Sequence, residues 1–413
     1  MSNLITTTVI ADNLRQVWTT EEMQNVTYRA YPELQRLKNI RKAITGKDYS
    51  FLVLVEPSYA TKFMAENGTL PTPVDEVWVR GYFNPKTVAT RRFITQESID
   101  DSGDDVGAIV QMYNYLPPAM ADEHGFHLTR NLWNTSSGLM GAISSISTTT
   151  VTFVAGTNMR KFRVNDIFDV KNMTTGAFGA TNCDSNTITN VDEDNRQVTT
   201  GSAITTGGTT TDFGFYLEDE TTASGGAIVA RAWLGIPELI GTGNVHSINT
   251  TTYPLFKSCV YTSTAALTLP KMQKGINWIQ ARFKMPKLEF WTSPEVLLEY
   301  SDLLIPDVQY DKSMLDRMRG GQVGGSPTFV AGTLGDVPIN VSFLSPTNEM
   351  YLFDWRCFQS RTSAFMKFWD PEGSYWHRRA DVLNLELTYY SRGEMAVINR
   401  LGTVKWTGIT LAL

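Results

Sequence analysis

TRRFITQESIDDSGDDVGAIVQMYNYLPPAMADEHGFHLTRNLWNTSSGLMGAIS, residues 90–144, is the stretch on which the fold turns. It opens as a strand, in which Ala89, Arg91, Phe93 and Thr95 alternate with Thr90, Arg92, Ile94 and Gln96. An acidic turn follows, with Glu97, Asp100, Asp101, Asp104 and Asp105. Carboxylates suit the start of a helix, whose first N–H groups lack partners and whose dipole attracts negative charge. Val106, Ile109, Val110 and Tyr113 supply the i, i+3, i+4, i+7 stripe of that helix. Pro117 and Pro118 donate no N–H, so a kink or a split is expected there. Met120, Phe126, Leu128, Leu132 and Trp133 carry a second apolar half, which ends at the small residues of NTSSGLMGAISS.

The order of these pieces, RRFITQESID, DVGA, LTRNLW and SSGLMGAIS, resembles the spine-helix region of tailed-bacteriophage major capsid proteins. Upstream, Ala65-Glu66-Asn67-Gly68-Thr69-Leu70-Pro71-Thr72 is similar to a turn in the extended β-loop of that family. Downstream, a strand followed by TSPE, a helix and LLIPDVQY resembles its axial domain. FVAGTLGDVPINVS and PTNEMYLFD resemble two further segments of it. The resemblance implies an α+β shell fold with an N-terminal arm (1–50) and an extended β-hairpin loop (51–98). The spine helix and first part of a peripheral domain would occupy 99–145, and an inserted all-β domain 146–220. An axial domain (221–344) and the second part of the peripheral domain (345–413) would complete the chain.

Working outward, residues 29–47 carry Arg29, Arg36, Lys38, Arg41, Lys42 and Lys47 against one acid, Glu33. This is either a solvated helix face or an arm laid across the acidic turn of a neighbouring subunit. The resemblance favours the second, pairing Arg36 and Arg41 with Asp100 and Asp101. Two strand-like runs, at 50–56 and 76–83, form a ribbon too small to be stable without a partner surface. By resemblance that surface lies on the adjacent subunit, and Phe63, Leu70, Trp78 and Tyr82 are the expected contacts; the alternative is a hairpin packed on its own domain. Between 146 and 220 the composition shifts to Thr, Asn and Gly, and five short strands read as a small barrel or sandwich. Further on, Met272, Ile276, Ile279 and Phe283 stripe a helix over 269–284, and Thr292-Ser293-Pro294-Glu295 caps the next. Leu383, Leu385 and Leu387 mark a half-buried strand, and MAVINR and TVKWTG are expected to close as a hairpin about Leu401-Gly402.

Composition narrows the class. The chain has 413 residues and a net charge of −6, with no global basic footprint. Cys183, Cys259 and Cys357 form neither a disulfide framework nor a CxxC metal pattern, and read as idle thiols of a protein made in a reducing cytoplasm. The N-terminus lacks a signal-peptide pattern, and no apolar run approaches the ~18–20 residues of a transmembrane helix. His124 and His127 stand three apart beside Glu123, without an HExxH order or a third ligand. GxSxG is absent, Thr45-Gly46-Lys47-Asp48 lacks the upstream Gly and the Ser/Thr of a phosphate loop, and residues 320–325 lack GxGxxG spacing. The acids at 100–105 are explained by helix capping ahead of a bound cation. Trp369, Tyr375, Trp376, Arg378 and Arg379 mix aromatics with bases; in an acidic chain an interface anchor is favoured over a nucleic-acid groove, with Trp376 and Arg378 as contacts.

No catalytic residue, metal or cofactor is therefore assigned. The expected function is that of a non-enzymatic major capsid protein, assembling with itself as hexamers and pentamers in the host cytoplasm and residing in the virion. It would enclose double-stranded DNA without sequence-specific binding, alongside portal and scaffold or decoration proteins, with no membrane partner. Because the chain begins directly with the arm, a separate scaffold or none is expected. Two alternatives stand: an encapsulin-like nanocompartment shell, and a carbohydrate-binding or hydrolytic protein built on the 146–220 domain.

Overall fold

A computed structural model describes residues 31–44, 49–58, 61–64, 66, 68–95, 106–134, 138–218, 221–224, 227–262, 265–282, 287–304, 328–331, 335–370, 376–378 and 384–411. In chain order its elements begin with α1 (Pro32–Asn39), β1 (Arg41–Ala43), β2 (Tyr49–Glu56), β3 (Val77–Phe83), β4 (Lys86–Thr95) and α2 (Val106–Leu132). Then come β5 (Leu139–Ser147), β6 (Thr150–Phe153), β7 (Ile167–Asn172), β8 (Asn186–Asp192), β9 (Gln197–Thr200) and β10 (Phe213–Leu217). β11 (Thr221–Ser224), β12 (Ala227–Ala230), α3 (Ile236–Leu239), β13 (Cys259–Tyr261), α4 (Leu269–Gln280), β14 (Glu289–Thr292) and α5 (Pro294–Leu304) follow. The remainder is strand: β15 (Thr328–Ala331), β16 (Gly335–Val341), β17 (Met350–Phe353), β18 (Phe358–Phe368), β19 (Trp376–Arg378), β20 (Asn384–Val397) and β21 (Thr403–Trp406). The class is α+β, and the chain divides into two compact units.

The first unit gathers the described parts of 1–47, 85–132 and 360–394. Its sheet runs β1-β18-β20-β19, and β4 pairs antiparallel with β20 from Thr95↔Asn384 to Lys86↔Gly393. β4 thus belongs to this sheet and not to the loop expected over 51–98. α1 buries Leu34 and Leu37, and β1 runs parallel to β18. Residues 32–43 are therefore built into their own subunit, which corrects the reading of 1–50 as an arm; residues 1–30 lie outside the described ones. α2 is continuous through Pro117 and Pro118, so the expected split does not occur. Each proline removes one i→i−4 bond, at a cost of about 3 kcal/mol or more. Burial of Met120, Phe126, Leu128 and Leu132 opposes this with about 1.5–3 kcal/mol each. The acidic turn and the side chains of the first helical stripe lie outside the described residues.

The second unit holds the described parts of 48–84, 133–359 and 395–413. Within it six strands close a barrel in the order β10-β5-β6-β9-β8-β7. Its interior is filled by aromatics: Phe168 stacks on Phe215 at 3.8 Å, and Phe153 on Phe162 at 4.8 Å. The barrel begins at Leu139, earlier than the expected 146, because β5 supplies a sixth strand. The small residues of GAISS read as a helix end. They are small because β5 lies tight in the barrel, where a Cβ on Gly141 would stand 2.7 Å from Thr157 and 2.8 Å from Phe153.

A short 3-10 turn, Met159–Lys161, bolts the barrel to the rest of this unit. Asn158 Oδ1 accepts from Arg160 N, while its Nδ2 donates to the carbonyls of Phe343 (2.8 Å) and Ser345 (2.5 Å). Lys161 Nζ, buried, donates to Trp133 O at 3.0 Å and Asn134 Oδ1 at 2.8 Å. Asn158→Ala leaves the buried Ser345 carbonyl and the part-buried Phe343 carbonyl without these donors and removes a cap, at an expected cost of about 2 kcal/mol. Hydrogen exchange of residues 342–345 should quicken correspondingly; unchanged protection would contradict the bolt.

The same unit carries a six-stranded sheet, β13-β21-β17-β14-β16-β15, covered by α4 through Met272, Ile276 and Ile279. Gly275 is where α4 meets the sheet, since a Cβ there would stand 2.4 Å from the Trp406 ring. The cap on α5 forms as its sequence implies, Ser293 Oγ accepting from Val296 N at 3.4 Å with Pro294 in the first turn. β17 and β21 come from beyond residue 345, so this sheet is not confined to 221–344. TVKW also does not form the expected hairpin with MAVINR; β21 pairs with β13 and β17. The intervening Arg400 turns the chain away by binding the carbonyls of Glu238, Leu239, Gly243 and Phe256.

Candidate functional site

The β2–β3 hairpin of the second unit is the leading candidate, because it is apolar on both faces. β2 reads YSFLVLVE, and burial alternates strictly along it. Tyr49, Phe51, Val53 and Val55 face inward, and Phe51 meets the His246 ring edge-on at 5.2 Å. Tyr82 N donates to His246 O at 2.9 Å, so the base of the hairpin is fastened to its own unit. Gly81 lies under the Phe51 ring, where a Cβ would stand 2.8 Å from Cζ.

Among the described residues, the apolar side chains of the other face lie exposed. Register places Ser50 opposite Tyr82, Leu52 opposite Arg80, and Leu54 opposite Trp78. Leu52, Leu54, Trp78 and Tyr82 are 57, 43, 54 and 48% exposed. Beyond the strands Phe63 is fully exposed, and Leu70, Met64 and Val74 are exposed too. Covering the four ladder side chains would contribute roughly 1 kcal/mol each, half the value of full burial. An apolar surface of this kind on a ribbon makes it a candidate interaction site.

Phe63, Leu70, Trp78 and Tyr82 are thus all exposed on the same hairpin, with Trp78 and Tyr82 on one face of it. Leu52, Leu54, Met64 and Val74 went unread, although apolar residues of both parities in YSFLVLVE signal a strand with two covered faces. Arg36 is exposed on α1. Arg41 instead donates from Nε to Thr362 Oγ1 at 2.9 Å within its own unit. Asp100 and Asp101 lie outside the described residues, as do residues 320–325. Trp376 and Arg378 alternate along β19, opposite Leu387 and Leu385, and their side chains are not described.

The histidine and cysteine side chains with chemical potential are engaged structurally. His124 is buried, with Nδ1 3.1 Å from Thr90 Oγ1 and Nε2 2.8 Å from Ser391 Oγ. Burial lowers its pKa from 6.5 to about 3. His127 instead meets Arg130, and among the described residues no three His, Cys, Asp or Glu side chains could hold a metal. Burial pushes the thiols of Cys183 and Cys259 upward and that of Cys357 to about 12, so all three stay protonated near neutrality. A shallow groove in the first unit, lined by Val88, Phe93, Glu123 and His127 among others, has its cations Arg91 and Arg92 paired with Glu386 and Glu123. None of the described helices is long and apolar enough to cross a membrane.

No protein-family model matches the sequence, and neither does any curated protein. Solved structures do match. A chain of the cyanophage A-1(L) capsid asymmetric unit aligns over 92% of this chain and 92% of its own, at 14% identity and a TM-score of 0.50. The holo-SrpI encapsulin complex of Synechococcus elongatus aligns over 99% and 98%, at 8% identity and 0.44. The procapsid of satellite phage P4 aligns over 97% and 95%, at 8% identity and 0.42. The cyanophage alignment runs through both units, and by it the chain has the tailed-phage capsid fold.

Proposed function

We propose that the chain is the shell subunit of a tailed-phage head, assembling as hexamers and pentamers around double-stranded DNA. The observation that carries this reading is the uncovered apolar face of the β2–β3 hairpin on a chain of capsid fold. A subunit whose ribbon lies on its neighbour overlaps it, so many modest interfaces act together and removal of any one copy becomes difficult. Phe63, Leu70, Trp78 and Tyr82 would anchor the overlap, with Leu52 and Leu54 beside them. Arg36 facing the acids at 100–101, and Trp376 with Arg378, would serve secondary contacts. The protein's work is mechanical, and portal, scaffold or decoration proteins would join the same shell.

Negative-stain electron microscopy of the purified chain tests the reading: polyhedral shells, tubes or hexamers are expected. Leu54→Ser with Trp78→Ser removes one exposed cross-strand pair. The subunit should keep its circular dichroism and lose at most ~1 kcal/mol of stability, while closed shells fall at least tenfold. Normal shells from the double variant would remove the hairpin from the interface.

A further inference from the structure

Residues 239–288 contain Lys257, Lys271, Lys274, Arg282, Lys284 and Lys287 but no Asp or Glu, in a chain whose net charge is −6. The rest of the molecule is correspondingly more acidic. The structure organises part of this charge. Lys271, Lys274 and Trp278 on α4, and Arg282 in the turn that closes it, follow one another at spacings of 3, 4 and 4, which is one stripe of a helix. The opposite stripe, Met272, Ile276 and Ile279, is buried against the six-stranded sheet. Lys274 and Arg282 therefore point away from the core, and both are exposed.

Aromatic rings sit beneath these cations. Lys274 Nζ lies 5.2 Å from the centre of the Tyr261 ring, and the Arg282 guanidinium lies 4.5 Å above Trp278. Tyr261 in turn stacks on buried Trp406 at 5.7 Å, so the platform is rigid. Lys271 Nζ donates to Ala266 O. Among the described residues neither Lys274 nor Arg282 forms an ion pair. Lys86, Arg91 and Arg92 of the first unit, by contrast, each hold a carboxylate. Cations uncompensated by carboxylates and interleaved with aromatics are the footprint of polyanion binding. From Lys271 to Arg282 the stripe spans about 16 Å at 1.5 Å per residue. That length covers about five base pairs of duplex at ~3.4 Å of rise each.

We propose that this stripe of α4 is a contact for the phosphate backbone of double-stranded DNA, independent of base sequence, and that it marks the face turned toward the packaged genome. The orientation rests on the shell reading; the DNA contact does not. A basic stripe on a chain that is acidic overall would hold a genome loosely without the whole chain binding it.

The test is fluorescence anisotropy of a 30-base-pair duplex, titrated with the full-length chain below its assembly threshold across a series of salt concentrations. Lys274→Gln with Arg282→Gln should weaken binding about tenfold at ~0.1 M salt and flatten the log–log salt slope by about 2. Lys274→Arg with Arg282→Lys should retain both. Absence of salt-dependent binding by the natural chain, or an unchanged slope in the Gln variant, overturns the proposal. So does a poly-glutamate probe that binds through Lys274 and Arg282 where the duplex does not, since the stripe would then fit an acidic protein segment. Electron microscopy of the same preparations separates the two readings. DNA binding without shells defeats the shell reading alone, whereas shells with an unchanged slope defeat the DNA contact alone.

Discussion

Replacing Arg400 with Met is expected to lower the stability of the second unit by about 3–5 kcal/mol, since it leaves several carbonyls without a donor at roughly 1–3 kcal/mol for each that stays buried and unpaired. Arg400 is 1% exposed. Its Nε donates to Leu239 O at 2.8 Å, its Nη1 to Gly243 O at 2.7 Å and Phe256 O at 3.4 Å, and its Nη2 to Glu238 O at 3.1 Å. The guanidinium also lies 5.4 Å from the centre of the Phe256 ring. Burial draws its pKa down to about 10, which still leaves it charged at neutrality. Met would fill much of the space but supply no donor, stranding carbonyls at the end of α3 and in the loop that follows. Lys carries the charge as a single point and cannot fork, so Arg400→Lys should fall between the two. Hydrogen exchange over 236–258 and 403–406 reads the effect where it arises. Natural protection in the Met variant would mean that the carbonyls find other donors and that Arg400 is dispensable.

Arg400 also shows where reading the sequence stops. Local chemistry was legible: the stripe of α4, the Ser293–Pro294 cap, the five later strands of the barrel and the alternation of β20 all follow from spacing. Pairings between distant strands were not. TVKW and MAVINR are adjacent and apolar, which favours a hairpin, and only the carbonyls gathered around Arg400 from residues 238–256 send β21 to another sheet. β5 was hidden for a related reason, because its Gly, Ala and Ser residues answer to the tightness of a barrel wall and not to strand propensity. α2 passes Pro117 and Pro118 because tertiary burial outweighs a local defect. At the hairpin the aromatic anchors were legible as large apolar residues near turns. The smaller members of the ladder needed the register.

The His124 cluster leads to the second large effect, an acid sensitivity of the first unit. His124 on α2 reaches Thr90 on β4 and Ser391 on β20, and its ring meets Tyr389 edge-on at 5.1 Å. Ser391 Oγ accepts from Met366 N at 2.9 Å and can give its own proton to Nε2 of a neutral ring, whose Nδ1–H then donates to Thr90. Burial without a charged partner in this network favours the neutral ring. The folded pKa of about 3 lies below the ordinary 6.5, so the unfolded chain binds a proton that the folded one refuses. Stability from this group is complete above pH 6.5 and is lost as pH falls toward 3. Between pH 6.5 and 5, where carboxylates hardly titrate, the loss should reach about 2 kcal/mol at ~1.4 kcal/mol per pH unit. Denaturant unfolding of the natural chain and of His124→Asn at the two pH values isolates it. The variant should be weaker at neutrality yet lack that pH-dependent loss; an equal loss in both would show that another group, not His124, carries the acid response.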